Sequence, residues 1–436
     1  MAMAGSAIGL GNIWRFPHIA GEYGGAAFVL VYVLSSLLIS LPIFLCEASI
    51  GRKSLSGVYN ALEKLAPGTK WKHTGWLTFI ASFIIMSYYS VVGGWSLDYF
   101  IRSLFGGLSG TAEGGSAAEI FGILSSSTWE PLLMHTLFLM VSLLIITLGV
   151  SKGIEKFSKA IIPLLFIIIV GLSVFSCLLP GAGAGVDYLF KPDFSNFTAK
   201  SVVYAVGQSF YSMSLGVGCV LVYASYMRKE ENLVSAGVWT TAFDFAFAIL
   251  SGLMVMPAVF AAGLEPSSGP GLVFETFPYI FEQLAIEAPV LSKVVTILFF
   301  FTIVMAALTS EISVCEVCAS HLSERFRISR KKAITLFFLF AWILGALCCL
   351  SFGPLADVKI NGQNIFGFCD ALSCNVLMPV GAFLPVCGLE DEALRREGTV
   401  RPLIQGCIPL GALRDTSGTA GHIGDQFHCM MRTTIG

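Results

Sequence analysis

The chain has 436 residues, 55% of them hydrophobic and only 12% charged, with a formal net charge of −2. Soluble domains carry about 25% charged residues, so a water-soluble fold of this length is excluded. The near-neutral balance offers no electrostatic footprint for nucleic acid. Twelve cysteines are present, yet Cys177, Cys219, Cys315, Cys318, Cys348 and Cys349 sit inside apolar runs, where they act as small buried apolar groups. No spacing matches a disulfide framework or a zinc site. The sequence opens directly into a glycine-broken apolar segment without a basic leader, unlike a cleavable signal peptide.

A helix needs about 20 mostly apolar residues to cross a bilayer. Ten such spans are predicted, at 1–24, 27–50, 75–104, 130–150, 156–179, 201–225, 235–262, 289–322, 333–352 and 364–386. The linkers between them alternate in basic character. Arg52, Lys53, Lys64, Lys70 and Lys72 follow the second span. Lys152 and Lys156 follow the fourth, Arg228 and Lys229 the sixth, and Arg325, Arg327, Arg330, Lys331 and Lys332 the eighth. The intervening linkers are poor in base. The positive-inside bias puts the N-terminus in the cytoplasm of a multi-pass protein of the inner (plasma) membrane. Residues 269–285 are amphipathic and external, suited to a helical loop over the outer mouth.

Two spans carry a glycine pair mid-helix: Gly9-Leu10-Gly11-Asn12 in the first, and Ser214-Leu215-Gly216-Val217-Gly218 in the sixth. Glycine weakens a helix interior by roughly 1 kcal/mol relative to alanine. Two so close, beside Asn12, Ser212 and Ser214, predict unwinding; the bland reading is close helix packing. The breaks fall in the first helix of each five-span half. Because five is odd, the halves are inverted in the membrane. Matching interruptions of this kind point to a transport site at the midplane.

Unwound backbone frees carbonyls for a cation and amides for a carboxylate. Side-chain oxygens at membrane depth include Asn12, Ser212, Asp244, Thr309 and Ser310. A buried aspartate such as Asp244 marks an ion or proton path by default, against a purely structural carboxylate. Glu47 is read as structural, accepting bonds from freed amides. Glu311 and Glu316 stay open between lining an inner aqueous path and a direct role. Tyr88 and Tyr89 lie midway along the third span, and either could serve a carboxylate or simply pack. Arg15 needs a partner, and Asp370 matches it in depth.

The stretch Ala4-Gly5-Ser6-Ala7-Ile8-Gly9-Leu10-Gly11-Asn12-Ile13-Trp14-Arg15-Phe16-Pro17 resembles the first-helix signature of the neurotransmitter:sodium symporter family. So does Glu22-Tyr23-Gly24-Gly25-Ala26-Ala27-Phe28. Further likenesses are Glu47 with Gly51-Arg52, Tyr88-Tyr89 with Gly94-Trp95, Gln208 with Ser214-Leu215-Gly216, Tyr223-Ala224-Ser225-Tyr226, and Leu308-Thr309-Ser310. The resemblance covers about residues 1–386. It implies an all-α integral membrane protein of LeuT-type fold, with two inverted five-helix repeats at 1–179 and 201–386 and helices 1 and 6 broken mid-membrane. The implied function is sodium-coupled secondary active import of an α-amino acid by alternating access, not an enzymatic reaction.

Carried over residue by residue, the resemblance implies a first sodium site from the Ala7 carbonyl, Asn12, Ser212, Asp244 and the cargo carboxylate. A second would use carbonyls of Gly5, Ile8 and Ala306 with the hydroxyls of Thr309 and Ser310. The cargo carboxylate would meet the amides of Leu10 and Gly11 and the Tyr89 hydroxyl. Its amino group would meet carbonyls at Ala7 and Tyr211 and the Ser214 hydroxyl. Its side chain would face Ile85, Tyr211, Val217, Ser310 and Val314. Glycine at Gly9 leaves room for a carboxylate where monoamine carriers tend to have an acid, and the apolar wall suits a hydrophobic or aromatic side chain. Arg15 and Asp370 resemble the outer gate. Two sodium ions are expected, with no chloride requirement: Ala248, one turn past Asp244, is neither acid nor serine, and Asp244 can supply the negative charge. The partners are a small-molecule cargo and the lipid bilayer, with the chain a monomer or weak homo-oligomer.

Two departures stand against the pattern. The sequence starts inside the first helix, without the lead that supplies an inner-gate arginine to its partner acid, Glu324. After Leu389 the composition changes abruptly, so 387–436 reads as a non-spanning tail, either frameshifted or a genuine cytoplasmic extension. These leave two alternatives to transport: a sodium-dependent amino-acid receptor, or a transport-inactive truncated symporter. A membrane-embedded enzyme has no support, since His18, His73 and His135 are scattered and no metal or nucleophile cluster is present.

Overall fold

The computed structural model describes residues 9–106, 108, 117–147, 151–195, 197–227, 231–267 and 269–395. Within them the chain is helical apart from turns and one isolated bridge. The first span is α1, a π turn at Gly11–Arg15 continuing as Phe16–Glu22. The second, α2, runs Ala26–Ser54 and includes a π turn at Ser36–Ser40. A short helix, α3 (Val58–Leu65), leads to the third span, α4 (Thr74–Phe105). After α5 (Ala117–Ser126) come the fourth and fifth spans, α6 (Trp129–Thr147) and α7 (Ser151–Leu178), then the connecting α8 (Gly183–Phe190).

The sixth span is two helices, α9 (Ala199–Ser212) and α10 (Cys219–Ser225). The seventh is α11 (Leu233–Ala261). A loop helix, α12 (Leu272–Glu287), precedes the eighth and ninth spans, α13 (Pro289–Phe326) and α14 (Arg330–Leu350). The last span, α15, runs Ile365–Leu372, through a π turn at Ser373–Leu377, into Met378–Arg395. It continues past the boundary at 387 drawn from sequence. The remainder of the expected tail, 396–436, lies outside the described residues.

Seven of these helices are long and apolar enough to cross a membrane, and α7 with α8, bent by 116°, makes an eighth. Of the other two expected spans, the first is described only from Gly9 onward, and the sixth is split into pieces of 14 and 7 residues. That split is what the glycine pairs predict.

Local sequence sets the ends. Thr198 opens α9 with a capping box closed by Ser201, Asn232 caps α11 by accepting from the Ser235 amide at 3.1 Å, and Asn364 caps α15 by accepting from Gly367 at 2.8 Å. Such caps satisfy donors that a helix start leaves orphaned. The third and eighth spans pack along their length, the fourth lies against the ninth, and α11 lies against α7. The broken spans and α15 run through the centre of this scaffold. Loop helix α12 packs on the ends of α5 and α13, and the Trp14 indole donates to the Pro270 carbonyl at 2.9 Å, tying α1 to the external loop.

Candidate binding site at the helix breaks

Between α9 and α10 the backbone leaves the helical region. Ser214, Gly216 and Gly218 have φ of +54°, +75° and +79°. At Gly216 a Cβ would lie 2.0 Å from the Met378 carbonyl oxygen, so only glycine lets the break pack against α15. The freed groups find side chains. Glu47 of α2 accepts from the Gly216 amide at 2.8 Å, and Ser82 of α4 donates to the Val217 carbonyl at 3.1 Å. Gln208 of α9 donates to the Gly11 carbonyl at 3.1 Å, bracing one broken span against the other. The structural role read for Glu47 is therefore met.

Asn12, Ser212 and Asp244, remote in sequence, converge. Asp244 is fully buried on α11. The Asn12 amide nitrogen donates to its carbonyl at 2.9 Å and to Oδ1 at 2.8 Å, and the Tyr32 hydroxyl donates to Oδ2 at 2.8 Å. The Ser212 hydroxyl lies 3.0 Å from Asn12 Oδ1 and also contacts Asp244 Oδ1. A hydroxyl has one hydrogen, so it cannot satisfy both acceptors. Asn12 Oδ1, Ser212 Oγ and Asp244 Oδ1, grouped this closely, form a donor set suited to a hard cation.

Thr309 and Ser310 sit on α13 near this cluster's level. Thr309 donates to the Ala306 carbonyl at 2.9 Å, which puts both expected oxygens of that pair side by side. Gly5, Ala7 and Ile8 lie outside the described residues, as does the side chain of Glu324. Of the expected ion ligands, the described residues hold Asn12, Ser212 and Asp244 of the first set and Ala306, Thr309 and Ser310 of the second.

A cavity adjoins the cluster. Its lining includes Gly11, Ile85, Tyr89, Tyr211, Ser214, Val217, Ser310 and Val314, which are the expected cargo contacts apart from Leu10 and Ala7. Leu10 is buried beside it. The walls are mostly apolar, but the hydroxyls of Tyr89, Tyr211 and Ser310 are buried without a partner in hydrogen-bond geometry. Unpaired buried hydroxyls facing a cavity are groups awaiting a polar ligand. Gly9 faces the same space: a Cβ there would sit 2.6 Å from the Ser310 hydroxyl and 3.5 Å from that of Tyr89.

Adjacent tyrosines part company. Tyr89 lines the cavity, whereas Tyr88 turns to α15, its hydroxyl 3.3 Å from the Cys374 sulfur. Successive helix residues differ by about 100° in direction, and here the two rings diverge.

Above the cavity, Arg15 is fully buried and grips Asp370 with two bonds, 2.8 and 3.0 Å. Its remaining terminal nitrogen donates to Gln208. The guanidinium carbon lies 4.9 Å from the centre of the Tyr211 ring, and Tyr211 is part of the cavity lining. The ion pair thus packs against a ring that lines the cavity. Sequence reasoning did not assign Gln208 or Tyr32 a role, nor Met86, Cys219, Ser313 and Met378 to the cavity. Gln208 carried a signal, lying in a quoted motif; Tyr32, in an apolar run, carried none.

The model of the sodium:neurotransmitter symporter family matches residues 1–113 and 125–379. The chain belongs to this family. Over 384 residues the symporter chain is 37% identical to the sodium-dependent transporter YhdH of Bacillus subtilis, covering 88% of this chain and 84% of that one. A sodium-dependent transporter of Haemophilus influenzae is 35% identical over 392 residues, covering 88% and 85%. Among solved structures, MhsT in complex with L-phenylalanine superposes with a TM-score of 0.84 at 37% identity, covering 93% of each chain. The symporter is thus a multi-pass, sodium-dependent membrane transporter of LeuT-type fold, with two inverted repeats and broken first and sixth helices. Sodium is cargo here, and the oxygen cluster at Asn12, Ser212 and Asp244 has the chemistry to hold it.

Proposed function

We propose that the protein imports an α-amino acid with a hydrophobic or aromatic side chain, driven by two sodium ions. The observation that carries this reading is one juxtaposition. An apolar cavity with unpaired hydroxyls lies between two helix breaks, against the Asn12–Ser212–Asp244 oxygens and beneath the Arg15–Asp370 pair. The likeness to a protein solved with L-phenylalanine supports the cargo class.

In this reading the cargo carboxylate meets the Leu10 and Gly11 amides and the Tyr89 hydroxyl, and completes the first sodium site with Asn12, Ser212, Asp244 and Ala7. The cargo thereby becomes a ligand of its own driving ion, which couples the two physically. A second ion at Gly5, Ile8, Ala306, Thr309 and Ser310 ties α1 to α13 and favours the outward-facing state. The Asp244 carboxylate, braced by Tyr32, holds the negative charge beside the first ion, so no chloride is needed. Glu324 belongs to the inner gate. The repeats span 1–179 and 201–386, the N-terminus lies in the cytoplasm, and the chain acts as a monomer or weak homo-oligomer.

The test is uptake of a radiolabelled amino-acid panel into proteoliposomes, with and without an inward sodium gradient. Accumulation of hydrophobic or aromatic members only with sodium is the expected result. Sodium-dependent binding without accumulation would leave a receptor in place of a carrier.

A further inference from the structure

The cavity has one group that a purely hydrocarbon side chain leaves unanswered. Glu311 follows Ser310 on α13 and lines the cavity beside Met86 and Val314. It is 2% exposed, and neither carboxyl oxygen has a partner in hydrogen-bond geometry. The Ser142 hydroxyl of α6 interacts with its carboxyl but falls short of hydrogen-bond geometry. A single hydroxyl hydrogen fills one of roughly four acceptor positions on a carboxylate. Among the described residues, no basic side chain lies within ion-pair distance of it. The acid five positions on, Glu316, has its own partner in Arg330 at 2.5 Å.

A buried acceptor without a donor is costly. When such a group faces a binding cavity, it rejects a ligand that leaves it empty and holds one that fills it. The polar ends of the cargo are assigned to groups of the two broken spans and to the Tyr89 hydroxyl of α4. Glu311 lies on none of these helices. It shares α13 with Val314, a residue assigned to the side-chain wall, and lines the same cavity.

We propose that Glu311 sets cargo specificity, its carboxyl accepting a hydrogen bond from an N–H or O–H at the far end of the cargo side chain. The preferred class is an aromatic amino acid with a donor on its ring. This rests on the reading of the cavity as an α-amino-acid site, and narrows it.

The test is the dissociation constant of the purified full chain, at saturating sodium, for tryptophan, tyrosine, phenylalanine, leucine and lysine. Tryptophan or tyrosine should bind at least tenfold more tightly than phenylalanine. Glu311→Leu should narrow that gap to within threefold without weakening phenylalanine, and Glu311→Gln, which keeps a carbonyl acceptor, should retain part of it. Where Glu311→Leu yields no folded protein, the wild-type ranking and Glu311→Gln decide the same question. Phenylalanine or leucine binding within threefold of the donor-bearing pair overturns the proposal and leaves the amino-acid site standing, as does a gap unchanged in Glu311→Leu. Tightest binding of lysine, abolished in Glu311→Leu, upholds the donor at Glu311 and removes the aromatic reading. Binding of none of the five removes both.

Discussion

Asp370→Asn tests whether the Arg15–Asp370 pair acts as a lid. Arg15 is fully buried and Asp370 nearly so, and their two bonds of 2.8 and 3.0 Å have no water to replace them. Removing one partner of a buried pair costs about 3–5 kcal/mol, because the remaining charge is left uncompensated. Gln208 still accepts from Arg15, so the lower end, about 3 kcal/mol, applies. If the pair forms only when the lid is closed, the closed state loses that amount relative to the open one, about a hundredfold in the equilibrium. Cargo leaves through the open lid, so its dissociation in sodium-containing detergent should quicken by about that factor. Sodium-dependent association should persist, because Asp370 touches neither the cavity nor the Asn12 cluster. Uptake into proteoliposomes should fall, since a lid that does not close cannot release inward. Dissociation within threefold of wild type, with normal uptake, would refute the lid.

Asn12→Ala removes the amide nitrogen that bonds Asp244 twice and one oxygen of the cluster; the sodium concentration for half-maximal cargo binding should rise at least tenfold, read from sodium titrations at fixed cargo. Glu47→Ala leaves the Gly216 amide without its acceptor, a loss of about 1–3 kcal/mol, and should lower the melting temperature in detergent by several degrees while binding becomes weaker. Replacing chloride by gluconate at constant sodium should leave uptake unchanged, as the buried Asp244 carboxylate already provides the charge; a steep chloride dependence would contradict this.

Much of this architecture is legible in one dimension because its causes are local. A bilayer demands long apolar runs with internal hydrogen bonding, and these are visible as hydropathy. Basic linkers give an expected orientation, and glycine pairs record where a helix cannot continue. For the same reason Asn12, Ser214 and Gly216 could be singled out, and Glu47 could be given its role beside freed amides. Depth in the membrane paired Arg15 with Asp370, and the family motifs added the outer-gate reading.

Tertiary structure alone decided the rest. Tyr32 and Asp244 meet across 212 positions, and nothing in either neighbourhood announces the contact. Gln208 bridges the Gly11 carbonyl and Arg15 because α9 and α1 cross at their breaks. Whether Tyr88 or Tyr89 faces the cavity depends on the rotation of α4, which is set by what packs around it. Glu311 and Glu316, equal as acids in an apolar helix, separate once one is paired with Arg330 and the other is left facing the cavity. Hydropathy and glycine spacing act along the chain, whereas the partner of a buried polar group is chosen by helices brought together from far apart in sequence.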